Sequence, residues 1–593
     1  MRAEATAATA TPARRTPPER YKWIALSNVT LGVLLATIDA SIMLIAMPDI
    51  FRGISLDPLL PGNSFYLLWM ILSFLIVSSV LVVSLGRLGD LYGRVRMYNL
   101  GFAVFTAGSL LLTVTWMHGR EAAVWLVVMR VVQGVGAAFL VANSSAILTD
   151  AFPPDQRGLA LGINNVAGIS GSFIGLVVGG ILAPIDWRLI FLVSVPIGLF
   201  GTVWAYLKLE DLGIRRRAPI DWLGNVTFAV GLISLMIGIT YGIEPHGRST
   251  MGWTSAPVLA ELATGVALLA AFLVIESKVA NPMFRLPLFK IKAFTFGTLS
   301  TFLAAVGRGG LMFMLIIWLQ GIWLPEHGYS FANTPLWAGI YILPLTFGFL
   351  LAGPISGILS DRFGARPFAT GGMLGACLSF VLLLLLPVNF TYWQFALILM
   401  MNGLSMGAFA APNRAGVMNS LPAADRGAGG GMNSTFQNSA QVLSIGIFFT
   451  LMIVGLSSAL STSLYRGLTT YGVPRAVALR AAHLPPVSTL FSAFLGYNPV
   501  QHLVGAATLA RLPAHDRAVL TGHDFFSRLI APPFHTGLQT AFLFSIVACA
   551  IAAAASWARG ERFVYSSDTA PGGRNQAAEA SDDGARQLAE LAD

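Results

Sequence analysis

Long uninterrupted apolar runs decide most of what this chain can become. A membrane crossing needs about 20 mainly apolar residues. Runs of that kind fall at 24–47, 64–85, 98–116, 122–148, 158–182, 186–208, 221–243, 256–275, 293–318, 336–358, 367–387, 391–412, 428–457 and 537–558, fourteen in all. Only 11% of the residues are charged and 55% are hydrophobic, too few charges to coat several water-soluble domains. The first run is too long for a cleavable signal peptide, and no small-residue cleavage site follows it. The expected fold class is an all-α polytopic membrane protein.

An even number of spans puts both termini on one side, and the Lys/Arg distribution says which. With a cytoplasmic N-terminus, the inside segments hold 25 of the 37 basic residues, among them Arg94, Arg96, Arg215, Arg216, Arg217, Lys290 and Lys292. The short outside loops carry only Arg52, Arg120, Arg188 and Arg248. Both termini are therefore expected to be cytoplasmic, in the cell membrane. The net charge of +9 is then topogenic, and nucleic acid is not an expected partner. Cys377 and Cys549 both lie inside apolar runs, so neither a disulfide framework nor a four-cysteine metal site is available. The histidines show no ligand spacing, so no metal and no cofactor are expected. No GxxxxGK[ST] loop occurs, so active transport would draw on an ion gradient rather than ATP.

Two loops carry matching punctuation. After the second run stands Gly86-Arg-Leu-Gly-Asp90-Leu-Tyr-Gly93-Arg94, and after the tenth Gly357-Ile-Leu-Ser-Asp361-Arg362-Phe-Gly364. The glycines permit a tight turn. An Asp near a helix end can pair with the following Arg, forming a latch that breaks and reforms as helices slide. Two copies in equivalent places point to an internal duplication, common among transporter folds.

Within the runs, ionisable groups are expensive and usually functional. Asp39 and Glu261 are the acidic residues well inside them, and Glu261, near an outer end, is expected to snorkel. Arg130, Gln133, Gly134 and Ala137 share one helical face. Asp39 and Arg130 each lie about eight positions from the outer end of their runs, roughly 12 Å at 1.5 Å per residue, so the two can pair. The spaced glycines Gly171, Gly175, Gly179 and Gly180 suit close helix packing. Gln133, Asn165, Arg308, Gln320 and Gln437 are candidates to line a substrate cavity, each also open to a helix–helix hydrogen bond.

With these motifs the chain resembles the major facilitator superfamily, whose hallmark is the loop between the second and third helices with an echo in the second half. The span count resembles its fourteen-span drug:proton antiporter branch. Asp39 and Pro48 are similar to that branch's first-helix signature, with Ser41 a conservative change and Leu44 in place of an Asn. Arg130-Val-Val-Gln133-Gly134 is similar to the fourth-helix pattern in which the Arg tunes a proton site. The glycine run is similar to the antiporter motif, with Leu176 in place of the central proline. The resemblance implies two six-helix bundles in pseudo-symmetric arrangement plus two inserted central helices. Their expected boundaries are a disordered tail at 1–22, a bundle at 23–208, the inserted pair with its linkers at 209–290, a bundle at 291–558 and a tail at 559–593. The stretch 458–536, within the second bundle, is expected to fold as an outer cap of short helices. Asp150 is a further match, able to join Asp90 and Arg94.

The function that follows is proton-coupled export of small amphipathic molecules by alternating access, with Asp39 and Arg130 as the coupling pair. Protonating Asp39 would neutralise a buried charge, so proton and substrate would compete for one state. Expected partners are a small-molecule substrate, protons and the bilayer, and a monomer suffices. The same architecture could instead import by symport or uniport. An enzyme or lipid-handling role for the outer loop lacks any nucleophile elbow, HExxH or paired-carboxylate motif.

Overall fold

The computed structural model describes residues 19–560, apart from 58, 61, 154–155, 213–220, 248–250, 281, 423–424 and 523. Most of the two expected tails, together with Arg215, Arg216, Arg217 and Arg248, therefore lies outside the described residues. Apolar runs become helices because hydrocarbon offers no partner for a free backbone N–H or C=O. Among the described residues fourteen helices are long and apolar enough to cross a membrane. They are span 1 (Glu19–Gly53), span 2 (Phe65–Tyr92), span 3 (Arg94–Thr113), span 4 (Gly119–Ala151), span 5 (Leu159–Leu182), span 6 (Leu189–Lys208), span 7 (Trp222–Gly242), span 8 (Ala256–Lys278), span 9 (Lys292–Glu326), span 10 (Thr334–Ser360), span 11 (Ala365–Leu385), span 12 (Tyr392–Asn419), span 13 (Ala428–Thr470) and span 14 (Phe525–Ala558).

Packing divides them into spans 1–6 and spans 9–14, and the second set repeats the first. Spans 2 and 3 both lie on span 4, as spans 10 and 11 lie on span 12. Span 1 packs on spans 4 and 5, as span 9 packs on spans 12 and 13. Small residues permit these contacts, since lipid supplies no hydrophobic push between helices. A Cβ at Gly134 would stand 3.0 Å from the Phe74 carbonyl oxygen, and one at Gly407 only 2.7 Å from that of Phe349. The loops repeat too: Arg157 Nε donates to the Phe152 carbonyl at 3.2 Å, and Arg426 Nε to the Leu421 carbonyl at 3.3 Å. Spans 7 and 8 pair with each other, and span 7 touches spans 2 and 13.

The bundles meet along spans 5 and 10 and along spans 2 and 13. Toward the capped side the first contact is tight. A Cβ at Gly180 would stand 2.5 Å from Leu336 Cα, and Gly339 lies against the Leu176 backbone. Gly162 lies about five turns from Gly180 on the same helical face, yet it has nothing within 4 Å, and its neighbour Asn165 is exposed. Phe347 and Ile358, on the face of span 10 that carries Leu336, are likewise exposed. The cleft between bundles is thus closed on the capped side and open on the side of Glu19 and Ala558.

The cap consists of short helices between spans 13 and 14, among them Arg475–Ala481, Pro486–Phe494 and Ala514–Leu520. It begins later and ends earlier than hydropathy suggests. The helix carrying span 13 runs Arg426–Thr470, 45 residues, and span 14 starts at Phe525 rather than near 537. Ser457, Ser458, Ser461, Thr462 and Ser463 lower the apolarity of that stretch without breaking it. The extension is held by span 14, where the Leu529 carbonyl accepts from Ser463 Oγ at 2.9 Å. Every residue of Pro486–Phe494 is buried, against span 2 of the first bundle and spans 9, 13 and 14 of the second.

Candidate functional site

A charged network sits inside the first bundle. Asp39 of span 1 and Arg130 of span 4 form an ion pair with side chains 0% and 1% exposed. Gln133, one turn along span 4, donates from Nε2 to Asp39 Oδ1 at 2.7 Å and to Ser109 Oγ of span 3 at 2.9 Å. Its Oε1 accepts from Arg130 Nη1 at 2.7 Å. Span 2 completes the shell: Arg130 Nε donates to the Met70 carbonyl at 3.3 Å, and the guanidinium lies 4.2 Å from the Phe74 ring centre. Both carboxylate oxygens of Asp39 are therefore engaged. Four spans converge on one pair, which satisfies the condition for keeping charge in a dry interior.

A second cluster stands where spans 2, 3 and 4 end on the open side. Arg94 Nε donates to Asp90 Oδ1 at 2.8 Å and Nη1 to Asp150 Oδ2 at 2.6 Å. The Arg94 backbone N–H reaches Asp211 Oδ1 at 3.2 Å. The turn that places Arg94 pivots on Gly93, whose φ of 109° lies in a region side chains rarely adopt. Gly86 sits beside Ala142, where span 2 meets span 4.

The second copy keeps the turn and changes the charges. Gly364 has φ 86°, and Gly357 faces Ala411 as Gly86 faces Ala142. Ala365 stands where the first copy has Arg94, and Asn419 where it has Asp150. Arg362 is exposed, while the Asp361 side chain lies outside the described residues. Arg559, at the end of span 14, is 7% exposed and its guanidinium reaches between Gly416 and Gly297. Burial pushes that group down to about 10.

The five candidate cavity residues separate. Asn165 and Gln437 are exposed, and Arg308 is half-buried with its guanidinium 5.5 Å from the Phe349 ring centre. Gln133 and Gln320 are fully buried. The first belongs to the charged network, and the second donates to the Ile45 carbonyl of span 1 at 3.2 Å, tying the bundles together. Gly171, Gly175 and Gly179 face span 1 at Leu34, Ile38 and Ile42, whereas Gly180 faces span 10. Glu261 is half-buried. Among the described residues no group of three His, Cys, Asp or Glu side chains is placed to hold a metal ion.

Sequence reasoning missed Ser109, Met70 and Phe74, the supports of the charged network. It also left Arg414 in a loop, whereas span 12 continues to Asn419 and carries Arg414 within the helix. The signal was available in the two-copy register, since Arg414 aligns with Ser145 of span 4 when Asn419 aligns with Asp150.

The Major Facilitator Superfamily profile matches residues 29–445. The chain is 28% identical over 442 residues to the riboflavin transporter RibZ of Clostridioides difficile (strain 630), covering 74% of this chain and 90% of that protein. It is 27% identical over 545 residues to the multidrug resistance protein Stp of Mycobacterium tuberculosis (strain CDC 1551 / Oshkosh), covering 91% and 92%. Among solved structures, a bacterial homolog of the human lysosomal transporter Spinster, inward-facing and unoccupied, aligns with TM-score 0.54 at 16% identity, covering 93% of this chain and 100% of that one. This last likeness concerns the fold.

Proposed function

The chain belongs to the Major Facilitator Superfamily, a multi-pass membrane transporter of small molecules and not an enzyme, and on that footing we propose that it exports small amphipathic compounds across the cell membrane in exchange for protons. The termini lie in the cytoplasm, so the cleft opens inward and the cap stands outside. The single observation that carries the reading is the buried Asp39–Arg130–Gln133 network. A carboxylate kept at mid-membrane among four helices is costly unless its charge state is used. When the bundles rock and open the cleft outward, spans 1 and 4 shift against each other, and Asp39 can exchange Arg130 for a proton. Return to the inward state restores the pair and releases the proton to the cytoplasm. Substrate, bound between the bundles, moves the other way. Arg94, tied to Asp90 and Asp150, holds one end state until the helices slide. A monomer contains every part of this cycle.

Similarity to a multidrug resistance protein over 91% of the chain supports export. The competing reading is import with the same fold. It is supported by Leu176, a buried residue in an unbroken helix where the antiporter motif carries proline.

Proton movement in proteoliposomes tests the proposal, with an amphipathic panel spanning cationic, neutral and anionic members. The expected result is substrate-dependent proton flux opposite to substrate in the native protein. Asp39→Asn should abolish that flux while leaving substrate exchange without a gradient. Proton flux that persists in Asp39→Asn would remove Asp39 from the mechanism, and flux in the same direction as substrate would establish symport.

A further inference from the structure

The second bundle contains a charge arrangement that the coupling network leaves unexplained. Arg308 is 16 residues into span 9, about 24 Å from Lys292 at 1.5 Å per residue, which puts it near mid-membrane. It shares a helical stripe with Gly297 and Thr301, and Asn413 of span 12 bonds to both of those, at 3.0 and 2.8 Å. Arg308 therefore faces spans 10 and 12, with its guanidinium by Phe349, and remains half-accessible. Arg414 follows Asn413 on span 12. It points between Ala411, which meets span 10, and Val417, which meets span 9 at Gly297, and it is exposed.

Both cations thus point into the bundle interior toward the open cleft, not into lipid. Neither takes part in any of the ion pairs among the described residues. The carboxylate at comparable depth in the first bundle, Asp39, is already taken by Arg130. Arg308, with no counter-charge among the described residues, is unfavourable near mid-membrane unless water or a counter-anion reaches it. Gln441 packs by Gly309, and it and Gln437 are exposed along span 13, so the polar groups beside Arg308 are neutral ones. Nothing in this set would attract a cation.

We propose that Arg308 and Arg414 form an anion-binding site in the second bundle, and that the molecules carried are amphipathic organic anions bearing a carboxylate or a similar oxyanion. This deepens the export reading and rests on it. Arg414, nearer the cleft mouth, meets the anion first. Arg308, roughly 12–16 Å further in along the helix axis, holds it at mid-membrane, with Phe349 beside the apolar part of the molecule. Guanidinium suits this role because it presents a planar fork of donors to an oxyanion and stays charged.

Fluorescence titration of the purified, lipid-supplemented full chain tests the site with three probes sharing one fluorophore: dansylglycine, its methyl ester, and dansylcholine. The native protein is expected to bind dansylglycine at least about tenfold more tightly than either other probe. Arg308→Gln should erase that preference without weakening methyl ester binding. Arg308→Lys should retain part of it, which separates loss of charge from misfolding, and Arg414→Gln should mainly slow anion association. Equal or tighter binding of dansylcholine, or no anion binding by the native protein, overturns the proposal, as does an Arg308→Gln/Arg414→Gln variant with unchanged preference. Anion preference without accompanying proton movement in vesicles would instead sink the antiport reading and leave the site standing. Proton-coupled movement confined to cationic probes would do the reverse.

Discussion

Removing one partner of the Asp39–Arg130 pair should cost far more than removing both. In Asp39→Asn the guanidinium loses its counter-charge while staying 1% exposed. Stranding one member of a buried pair costs about 3–5 kcal/mol. Here the low end applies, because Arg130 keeps the Gln133 amide at 2.7 Å, the Met70 carbonyl at 3.3 Å and the Phe74 ring face. Arg130→Met strands the carboxylate instead. Asp39 then retains only the Gln133 amide at 2.7 Å and folds with a proton taken up, so the cost is capped by that uptake at about 4 kcal/mol at pH 7 and falls as pH is lowered. The double variant buries no net charge and should cost about 1 kcal/mol or less, since exchanging a buried pair for packed neutral groups is often close to neutral. The predicted coupling is then about 6 kcal/mol, a large value for two side chains. Denaturant unfolding of the reconstituted protein, followed by tryptophan fluorescence, measures all four corners of the cycle. Single-variant costs below about 1 kcal/mol, or costs that simply add, would refute the claim that the pair is held dry and fully charged.

Three further outcomes follow from other parts of the molecule. Burial pushes the Glu244 carboxyl from its ordinary 4.5 up to about 7, so between these values the folded chain holds a proton that the unfolded chain has released. Stability from this group is full below about pH 4.5 and lost by about pH 7, and Glu244→Gln should flatten that slope and add up to about 3 kcal/mol at pH 8, read by thermal unfolding across pH. Gly180→Ala should drive spans 5 and 10 apart on the capped side, because a Cβ there meets Leu336 backbone at 2.5 Å, whereas Gly162→Ala on the same face meets nothing within 4 Å. Spin-label distances across the cap side should lengthen only in the first, and equal responses would contradict the closed-cap geometry. Arg94→Ala removes ties to Asp90 and Asp150 and should lower transport rate at least about tenfold while costing only about 1–2 kcal/mol of stability, because both ties are partly exposed; unchanged turnover would reduce the cluster to a solvated helix end.

How much of this was legible beforehand depends on whether a feature is local. Span number follows from hydropathy alone, because lipid forces each apolar run into a helix. The proximity of Asp39 and Arg130 was legible because depth in a membrane can be counted along each helix, and helices lengthened at both ends keep the two residues level. What could not be counted was facing. Gln133 and Asn165 look equally polar in sequence, yet one faces Asp39 and the other faces the cleft, a difference set by how span 4 and span 5 rotate against their neighbours. Glu276 was passed over because it closes the eighth apolar run; it is buried and accepts the Phe284 N–H at 2.8 Å. The extension of span 13 was hidden by serines that a helix packed against span 14 accommodates without loss. Loss of charge from the second latch is plain in Ala365 once the copies are aligned, but the approach of Arg559 to that place depends on tertiary packing.

The 45-residue helix carrying span 13 is about 67 Å long at 1.5 Å per residue, more than twice the roughly 30 Å hydrocarbon core. It is therefore a lever whose longer arm lies in the second bundle and whose shorter arm, residues 458–470, reaches about 20 Å toward the cap. Rocking of about 10° would swing that overhang of about 20 Å through about 3–4 Å at its tip. Because the cap helix Pro486–Phe494 is wedged against span 2 of the opposite bundle, that swing has to break or drag a fully buried contact. In the proposed cycle that contact would resist rocking, so a binder that clamps Pro486–Phe494 against span 2 is expected to slow transport without entering the cleft.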